Sequence, residues 1–155
     1  MQNLNYGVIG NCSTAALISE KGAIEWLCFP EFDSPSVFAA ILDRQKGGHF
    51  GFKVTSDYKV TQSYVPHTNI LSTHFESEEG AFDVVDFMPC YPTSDGKDFY
   101  RPAEIYRYIR WAKGRPRMKV DYRPAPNYAR GKTIYNVTSQ YVETYSSAKN
   151  KDRQY

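Results

Sequence analysis

The residues best suited to binding chemistry lie in one short segment that carries carboxylates, aromatic rings and a hydroxyl side by side. They are Phe29, Glu31, Phe32, Asp33 and Ser34. A carboxylate such as Asp33 can accept a hydrogen bond from a ligand hydroxyl or pair with an arginine of a neighbouring domain. The favoured alternative is structural, because an acid or a serine just before Pro35 is typical of a helix N-cap.

The remaining acids and histidines do not form a pattern typical of a catalytic or metal site. Asp86 is flanked by large apolar residues, which favours a structural carboxylate that accepts hydrogen bonds from loop amides. The histidines, His49, His67 and His74, are scattered with no shared spacing, so we expect them to face solvent. The sequence therefore predicts no metal and no cofactor.

The three cysteines are an odd number without metal-ligand spacing. We expect Cys12, Cys28 and Cys90 to be reduced, buried thiols, as is typical of a reducing compartment. Residues 1–10 lack the charged and long apolar regions of a signal peptide. These features predict a cytoplasmic protein, and no apolar run is long enough to cross a membrane.

Composition indicates a single all-β domain. The chain has 155 residues, enough for one core, and its 15% of aromatic residues favours strands over helices. The net charge of +2 does not indicate a nucleic-acid partner. Basic and aromatic residues do cluster between positions 104 and 123, a pattern seen in single-strand nucleic-acid surfaces. Because Glu104 and Asp121 interrupt the cluster, we interpret it as the solvent face of an antiparallel sheet.

Alternating apolar residues and short turns predict a series of β-hairpins. The predicted pairs are 14–18 with 23–27, 70–76 with 81–87, and 104–112 with 117–122. Ser34 and Pro35, followed by apolar residues at helical spacing, predict one short helix at about 35–42. The expected fold is an antiparallel β-sandwich over residues 1–148, followed by a polar tail over residues 149–155.

The run IGNCSTAALISEKGAIEWLCFPEFDSPSVFAAILD, residues 9–43, resembles the start of a known domain. This is the N-terminal domain of bacterial and archaeal glycoside hydrolase family 15, the glucoamylase and trehalase-like enzymes. Segments 68–71, 85–89 and 125–128 resemble later parts of that domain in the same order. Glu31 is a departure, because the family commonly has arginine at this position.

The resemblance implies a β-sandwich longer than this chain, followed in the same polypeptide by a helical (α/α)6 barrel that holds two catalytic glutamates. It also implies a parent enzyme that hydrolyses α-glucosidic bonds with release of glucose by an inverting mechanism, which needs one acid and one base. No residue of this chain matches either glutamate, so no catalytic residue is predicted. The chain is then a non-catalytic domain that packs on the barrel and shapes its α-glucoside cleft.

The sequence leaves one alternative open, a free-standing carbohydrate-binding module. Trp26 is expected in the core, whereas Phe29 and Phe32 could belong to the core or to an interface. A broad exposed apolar patch around Phe29, Phe32 and Phe38 would favour a missing intramolecular partner. A linear row of aromatic residues on one sheet face would favour glycan stacking instead.

Overall fold

Every regular element of the chain is a β-strand in the computed structural model, which describes residues 5–55 and 57–148. The first seven strands are β1 (Tyr6–Gly10), β2 (Ala15–Ser19), β3 (Ile24–Cys28), β4 (Ser36–Phe38), β5 (His49–Lys53), β6 (Lys59–Tyr64) and β7 (Leu71–Glu76). The other seven are β8 (Gly80–Phe87), β9 (Tyr91–Pro92), β10 (Phe99–Tyr100), β11 (Tyr106–Gly114), β12 (Lys119–Arg123), β13 (Thr133–Val137) and β14 (Val142–Ser146). The predicted polar tail lies outside the described residues.

Two antiparallel sheets form the body of the molecule, which confirms the predicted all-β sandwich class. The six-stranded sheet has the order β1-β2-β3-β5-β12, with β4 also paired to β3. The four-stranded sheet has the order β11-β8-β7-β6. Two small hairpins, β9–β10 and β13–β14, complete the described part of the chain. None of the described residues forms a helix that could cross a membrane.

The core lies between the two sheets in two clusters. In the first, Ile9, Ile18 and Ile24 of the six-stranded sheet meet Leu71 of the four-stranded sheet. The second is built on the buried residues Phe75, Phe82 and Val84, with Phe52 packed against them from the opposite sheet. Strand β7 shows the alternation that positions these residues, since Leu71, Thr73 and Phe75 are buried as the sequence predicts.

One buried ion pair links the sheets across the core. Arg107 of β11 donates hydrogen bonds to both carboxylate oxygens of Asp86, at 2.7 and 3.0 Å. The same guanidinium donates to the carbonyl oxygens of Gly22 and Phe50 in the other half of the sandwich. It lies over the Phe50 ring, 4.8 Å from its centroid. Asp86 is a structural carboxylate, as predicted, but its partner is an arginine rather than the expected loop amides.

The short helix predicted at about 35–42 is wrong, because this segment is used for backbone pairing. Residues Ser36–Phe38 form β4 on β3, and the Ala39 amide then donates to the Gly47 carbonyl oxygen at 2.7 Å. The Ser34 hydroxyl, the predicted cap, accepts a hydrogen bond from the preceding Glu31 amide instead. Sheet hydrogen bonds thus outweigh the local helical signal.

Two of the three predicted hairpins are confirmed and the third is wrong. Strand β2 pairs with β3, and β7 pairs with β8. Strand β11, however, pairs with β8, whereas β12 pairs with β5 in the other sheet. The Arg115 amide donates to the Glu79 carbonyl oxygen at 2.8 Å, so the turn between the two strands is held by the β7–β8 turn. The chain therefore crosses from one sheet to the other at this point.

Candidate functional site

The loop between β3 and β4 carries all of the predicted site residues. They are Phe29, Glu31, Phe32, Asp33 and Ser34. The Ser34 amide donates to the Glu31 carbonyl oxygen, and the Glu31 amide donates to Ser34 Oγ, both at 3.1 Å. The Phe32 amide donates to the Ser13 carbonyl oxygen at 3.0 Å, which anchors the loop to the β1–β2 turn. The Ser34 hydroxyl is therefore used inside the loop, and neither Ser34 nor Asp33 caps a helix.

The tip of this loop is exposed, whereas its ends are packed. Glu31 and Asp33 are exposed, and Phe32 between them is 62% exposed. Phe29 is half-buried against the first core cluster, and Ser34 is buried. The loop thus presents two carboxylates around one aromatic ring. Such a surface can accept hydrogen bonds and make an apolar contact at the same time.

A buried polar turn beneath the loop fixes its position. Asn11 Oδ1 accepts hydrogen bonds from the amides of Ser13 and Thr14, both at 3.1 Å. Asn11 Nδ2 donates to the Pro102 carbonyl oxygen at 3.0 Å, and Thr14 Oγ1 donates to the Cys28 carbonyl oxygen at 2.5 Å. These residues are not predicted from the sequence as part of the site. Short polar side chains between two apolar strands are the signal that could have found them.

A left-handed turn, which is not predicted from the sequence, flanks the loop. Asn127, Tyr128 and Ala129 have φ values of 58°, 54° and 56°. A non-glycine residue in this region costs about 1–2 kcal/mol, so a run of three must be held by its surroundings. The Asn127 amide donates to the Ser36 carbonyl oxygen at 2.8 Å, and the Tyr128 amide donates to Ser36 Oγ at 3.2 Å. Strand β4 therefore holds this turn beside the loop.

Between the loop and the left-handed turn lies a groove of about 380 Å³. Its lining includes Phe29, Pro30, Pro35, Pro126, Asn127 and Tyr145. Most of these side chains are apolar, and Asn127 adds one amide. The candidate site therefore consists of the exposed loop tip and this adjoining groove.

Tyr128 closes the other side of the turn against the six-stranded sheet. Its hydroxyl lies 3.9 Å from Cys28 Sγ, and this hydrogen bond raises the pKa of the tyrosine. Its ring lies 6.4 Å from the ring of Trp26. Trp26 is half-buried in this contact and belongs to neither core cluster, so its expected place in the core is wrong.

The thiols and histidines outside the site depart from expectation in part. Cys28 is buried, but Cys12 and Cys90 are exposed, and all three cysteines are free. His49 contacts Asp121 and His74 contacts Asp83, so these two rings are hydrogen-bond partners of carboxyl groups rather than simple solvent-facing groups. Among residues 5–55 and 57–148, no group of three or more His, Cys, Asp or Glu residues could hold a metal ion.

Exposed apolar area is not concentrated around the loop. Phe38 is only 3% exposed and Phe29 is half-buried, so the broad apolar patch around Phe29, Phe32 and Phe38 that would favour a missing intramolecular partner does not form. Exposed aromatic residues other than Phe32 lie on β6, on β11, on the two small hairpins and in the left-handed turn. They are Tyr64, Tyr91, Phe99, Tyr100, Tyr106, Tyr108, Trp111, Tyr128, Tyr135, Tyr141 and Tyr145. Of these, Tyr128 and Tyr145 lie near the loop. The loop tip is thus a small exposed surface and not the centre of a wide apolar patch.

Comparison with known proteins identifies a family for the chain. The family model described as trehalase-like, N-terminal, matches residues 5–149. A trehalase of Thermoplasma volcanium is 36% identical over 132 residues, which cover 83% of this chain and 20% of the relative. Trehalase 1 of Sulfolobus acidocaldarius is 51% identical over 85 residues, which cover 54% of this chain and 14% of the relative.

A trehalase of Mycolicibacterium smegmatis is also similar, with 40% identity over 95 residues that cover 59% of this chain and 14% of the relative. The chain thus spans a fifth or less of the length of these relatives. No solved structure is significantly similar to the chain. The match over residues 5–149 agrees with the resemblance of residues 9–43, and the chain belongs to the family of trehalase-like N-terminal domains.

Proposed function

We propose that the chain is the non-catalytic N-terminal domain of a trehalase-like glycoside hydrolase, and that it packs on the catalytic barrel of that enzyme. The observation that carries this proposal is the coverage of the relatives. The family model matches residues 5–149, yet the aligned region makes up only 20% of the Thermoplasma volcanium trehalase. Most of the parent enzyme therefore lies in polypeptide that this domain does not supply.

The substrate that we propose for the parent enzyme is trehalose, rather than the maltooligosaccharides of a glucoamylase. The similar proteins from Thermoplasma volcanium, Sulfolobus acidocaldarius and Mycolicibacterium smegmatis are all trehalases by name. Inverting hydrolysis of the α-glucosidic bond needs two carboxyl groups about 6.5–9.5 Å apart. We assign this pair to the barrel, because the most buried acid of this domain, Asp86, is fully engaged by Arg107.

The part of the domain that shapes the substrate cleft is the loop tip with Glu31, Phe32 and Asp33. Its carboxylates can accept hydrogen bonds from sugar hydroxyls or pair with an arginine of the barrel, and the Phe32 ring can stack on either partner. The buried Asn11 turn and the left-handed turn hold the loop on both sides. A loop held in this way keeps its geometry when the barrel binds.

The cytoplasm is the compartment that we propose. Cys12 and Cys90 are exposed and unpaired with other cysteines, and exposed free thiols persist in reducing compartments. The parent enzyme then acts on α-glucosides inside the cell.

The test compares the parent enzyme with variants of the loop tip. Phe32→Ala and Asp33→Asn should lower kcat/KM on trehalose about tenfold, because each removes a contact at the cleft wall. Glu78→Gln is the matched control, since this exposed acid lies in the β7–β8 turn and should leave kcat/KM unchanged. Equal losses in all three variants would contradict a role of the loop in the cleft.

A second assay tests the non-catalytic assignment. The 155-residue chain and the parent enzyme are incubated with trehalose and with maltotriose, and release of glucose is measured. We expect glucose from trehalose with the parent enzyme and none with the chain alone. Turnover by the chain alone would contradict the assignment, and a parent enzyme that prefers maltotriose would contradict the proposed substrate.

A further inference from the structure

The outer face of the four-stranded sheet carries exposed aromatic rings at the edge strand β11. Tyr106 pairs with Phe87 across the strands, and their rings are stacked with centroids 5.1 Å apart and an interplanar angle of 5°. Tyr108, two residues further along β11, shares this face and is 62% exposed. Phe82 and Val84 of β8 point into the core, so Phe87 and Val85 lie on the outer face with these tyrosines.

A row of hydrogen-bonding side chains runs across three strands directly beside the aromatic rings. Arg110, Asp83 and His74 are register partners on β11, β8 and β7. Arg110 Nη2 donates to Asp83 Oδ2 at 2.7 Å, and His74 Nδ1 lies 2.6 Å from Asp83 Oδ1. The Arg110 side chain is 62% exposed, so several of its N–H groups remain available to a ligand.

We propose that this face binds a neutral oligosaccharide, by stacking of a sugar ring on Tyr106 and Tyr108 and by hydrogen bonds to Arg110 and His74. A pyranose ring has an apolar face of C–H groups and a rim of hydroxyls, which fits exposed aromatic rings bordered by hydrogen-bonded polar groups. Asp83 holds both neighbours in place. The site is distinct from the loop between β3 and β4, and nothing in it requires that the parent enzyme hydrolyses trehalose.

The charges of the row favour a neutral ligand over a nucleic acid. On this face Arg110 is paired with Asp83, and Lys113 is paired with Glu76, so these two cations carry little excess positive charge. Binding of a nucleic acid depends on unneutralised cations that contact phosphates. A sugar hydroxyl, in contrast, can bond to a paired arginine and carboxylate without breaking the pair.

The same row disfavours a dry protein interface. A protein partner that covered this face would remove water from the exposed Arg110 and the His74 ring, and desolvation of charged groups is costly without new partners. Sugar hydroxyls replace the lost water with hydrogen bonds of similar geometry. Binding of a second copy of the chain to this face would therefore contradict the proposal.

The test measures binding of maltoheptaose and cellohexaose to the 155-residue chain by isothermal titration calorimetry, with about 1 mM oligosaccharide so that a millimolar complex is detected. Tyr108→Ala should weaken binding at least about fivefold, as expected for loss of an aromatic contact. Arg110→Gln should weaken binding as well. Trp111→Ala is the matched control, because Trp111 is exposed on the same strand but faces the other side of the sheet.

Binding of either oligosaccharide that is lost in Tyr108→Ala and kept in Trp111→Ala would support the site, and the preferred linkage would identify the glycan. Absence of binding, or equal loss in both variants, would overturn the proposal. A dimer in sedimentation velocity that dissociates in Tyr108→Ala would overturn it too, because the face would then be a protein interface. Circular dichroism of each variant establishes that the sheets remain folded.

Discussion

The guanidinium group of Arg107 is one residue-level contact that joins the two sheets. Its side chain is 4% exposed and that of Asp86 is 0% exposed. Desolvation of two charges is costly, and it is offset here because Arg107 donates to both oxygens of Asp86 and to two carbonyl oxygens of the opposite half. Burial raises the pKa of Asp86, while the hydrogen bonds from Arg107 oppose that rise. The pair is therefore stable only as a complete unit.

Asp86→Asn should destabilise the chain by about 3–5 kcal/mol, because the charge of Arg107 would stay buried without its counter-ion. Urea denaturation at neutral pH measures this free energy of unfolding. Asp83→Asn is the matched control, since its partner Arg110 is exposed and can be hydrated once released. The control should cost only about 1 kcal/mol. Similar losses in the two variants would show that burial of the partner does not set the cost.

Asp121 makes the stability of the chain depend on pH. Burial raises the pKa of this carboxyl, but hydrogen bonds from Arg123, His49 and Lys53 prevail and hold it far below its usual range. A carboxyl with a lowered pKa in the folded state contributes stability that is complete above its unfolded pKa of about 4. This contribution decreases as the pH falls from that value toward the folded pKa.

Asp121→Asn should therefore be less stable than the natural chain at neutral pH, and the difference should shrink as the pH falls from about 4 to about 2. Urea denaturation at a series of pH values provides the measurement. A difference that stays constant over this range would show that Asp121 contributes through packing rather than through its charge.

At the level of elements, the sequence predicts strand pairs that are neighbours along the chain, but it does not predict pairs of strands that are distant along the chain. The β2–β3 and β7–β8 hairpins are predicted because their strands alternate and their turns are short. The partners of β11 and β12 are not predicted, because each of these strands pairs with a strand that is distant in sequence. The helical spacing at about 35–42 is overridden by the pairing of β4 with β3.

The candidate site shows the same division. The exposed loop residues Glu31, Phe32 and Asp33 are identified from residue type and spacing alone, since aromatic and acidic residues are unusual together in a short connection. The left-handed turn at Asn127–Ala129 depends on hydrogen bonds that its amides donate to Ser36, more than ninety positions away, which no local pattern encodes. The loop residues can thus be predicted from the local sequence, whereas the groove beside the loop can be recognised only in the folded structure.

Gly47 is the residue that allows the chain after β4 to return close to the backbone of Ala39 and Ala40. A Cβ at Gly47 would lie 2.2 Å from the Ala39 carbonyl oxygen and 2.6 Å from the Ala40 amide nitrogen. Gly47→Ala should therefore destabilise the chain by at least about 2 kcal/mol, because backbone atoms would have to move. Thermal and urea unfolding both measure this loss.

Gly96→Ala is the control, because the added Cβ would have no neighbouring atoms. Gly96 has a φ of 66°, but nothing lies within 4 Å of the position that a Cβ would take, so only the backbone strain of about 1 kcal/mol is expected. If Gly47→Ala cost no more than Gly96→Ala, the close approach at Ala39 would not constrain the fold.

For the molecule as a whole, stability should differ between the sandwich and its small hairpins. Strand β8 lies between β7 and β11 and is almost entirely buried. Strands β13 and β14 pair only with each other among the described strands, and most of their residues are exposed. A two-stranded hairpin is only marginally stable by itself, so local opening should be frequent there.

Hydrogen exchange followed by mass spectrometry should reveal this difference in the isolated chain. Amides of β8 should exchange at least about a hundredfold more slowly than those of β13 and β14, because β8 opens only when the sandwich unfolds. Tyr122→Phe removes the hydroxyl that lies 3.4 Å from Thr144 Oγ1, so it should speed exchange in β14 and leave β8 unchanged. Equally slow exchange in β8, β13 and β14 would mean that the hairpin is covered in solution. Its exposed side chains, such as Tyr141, would then form the contact surface for a partner.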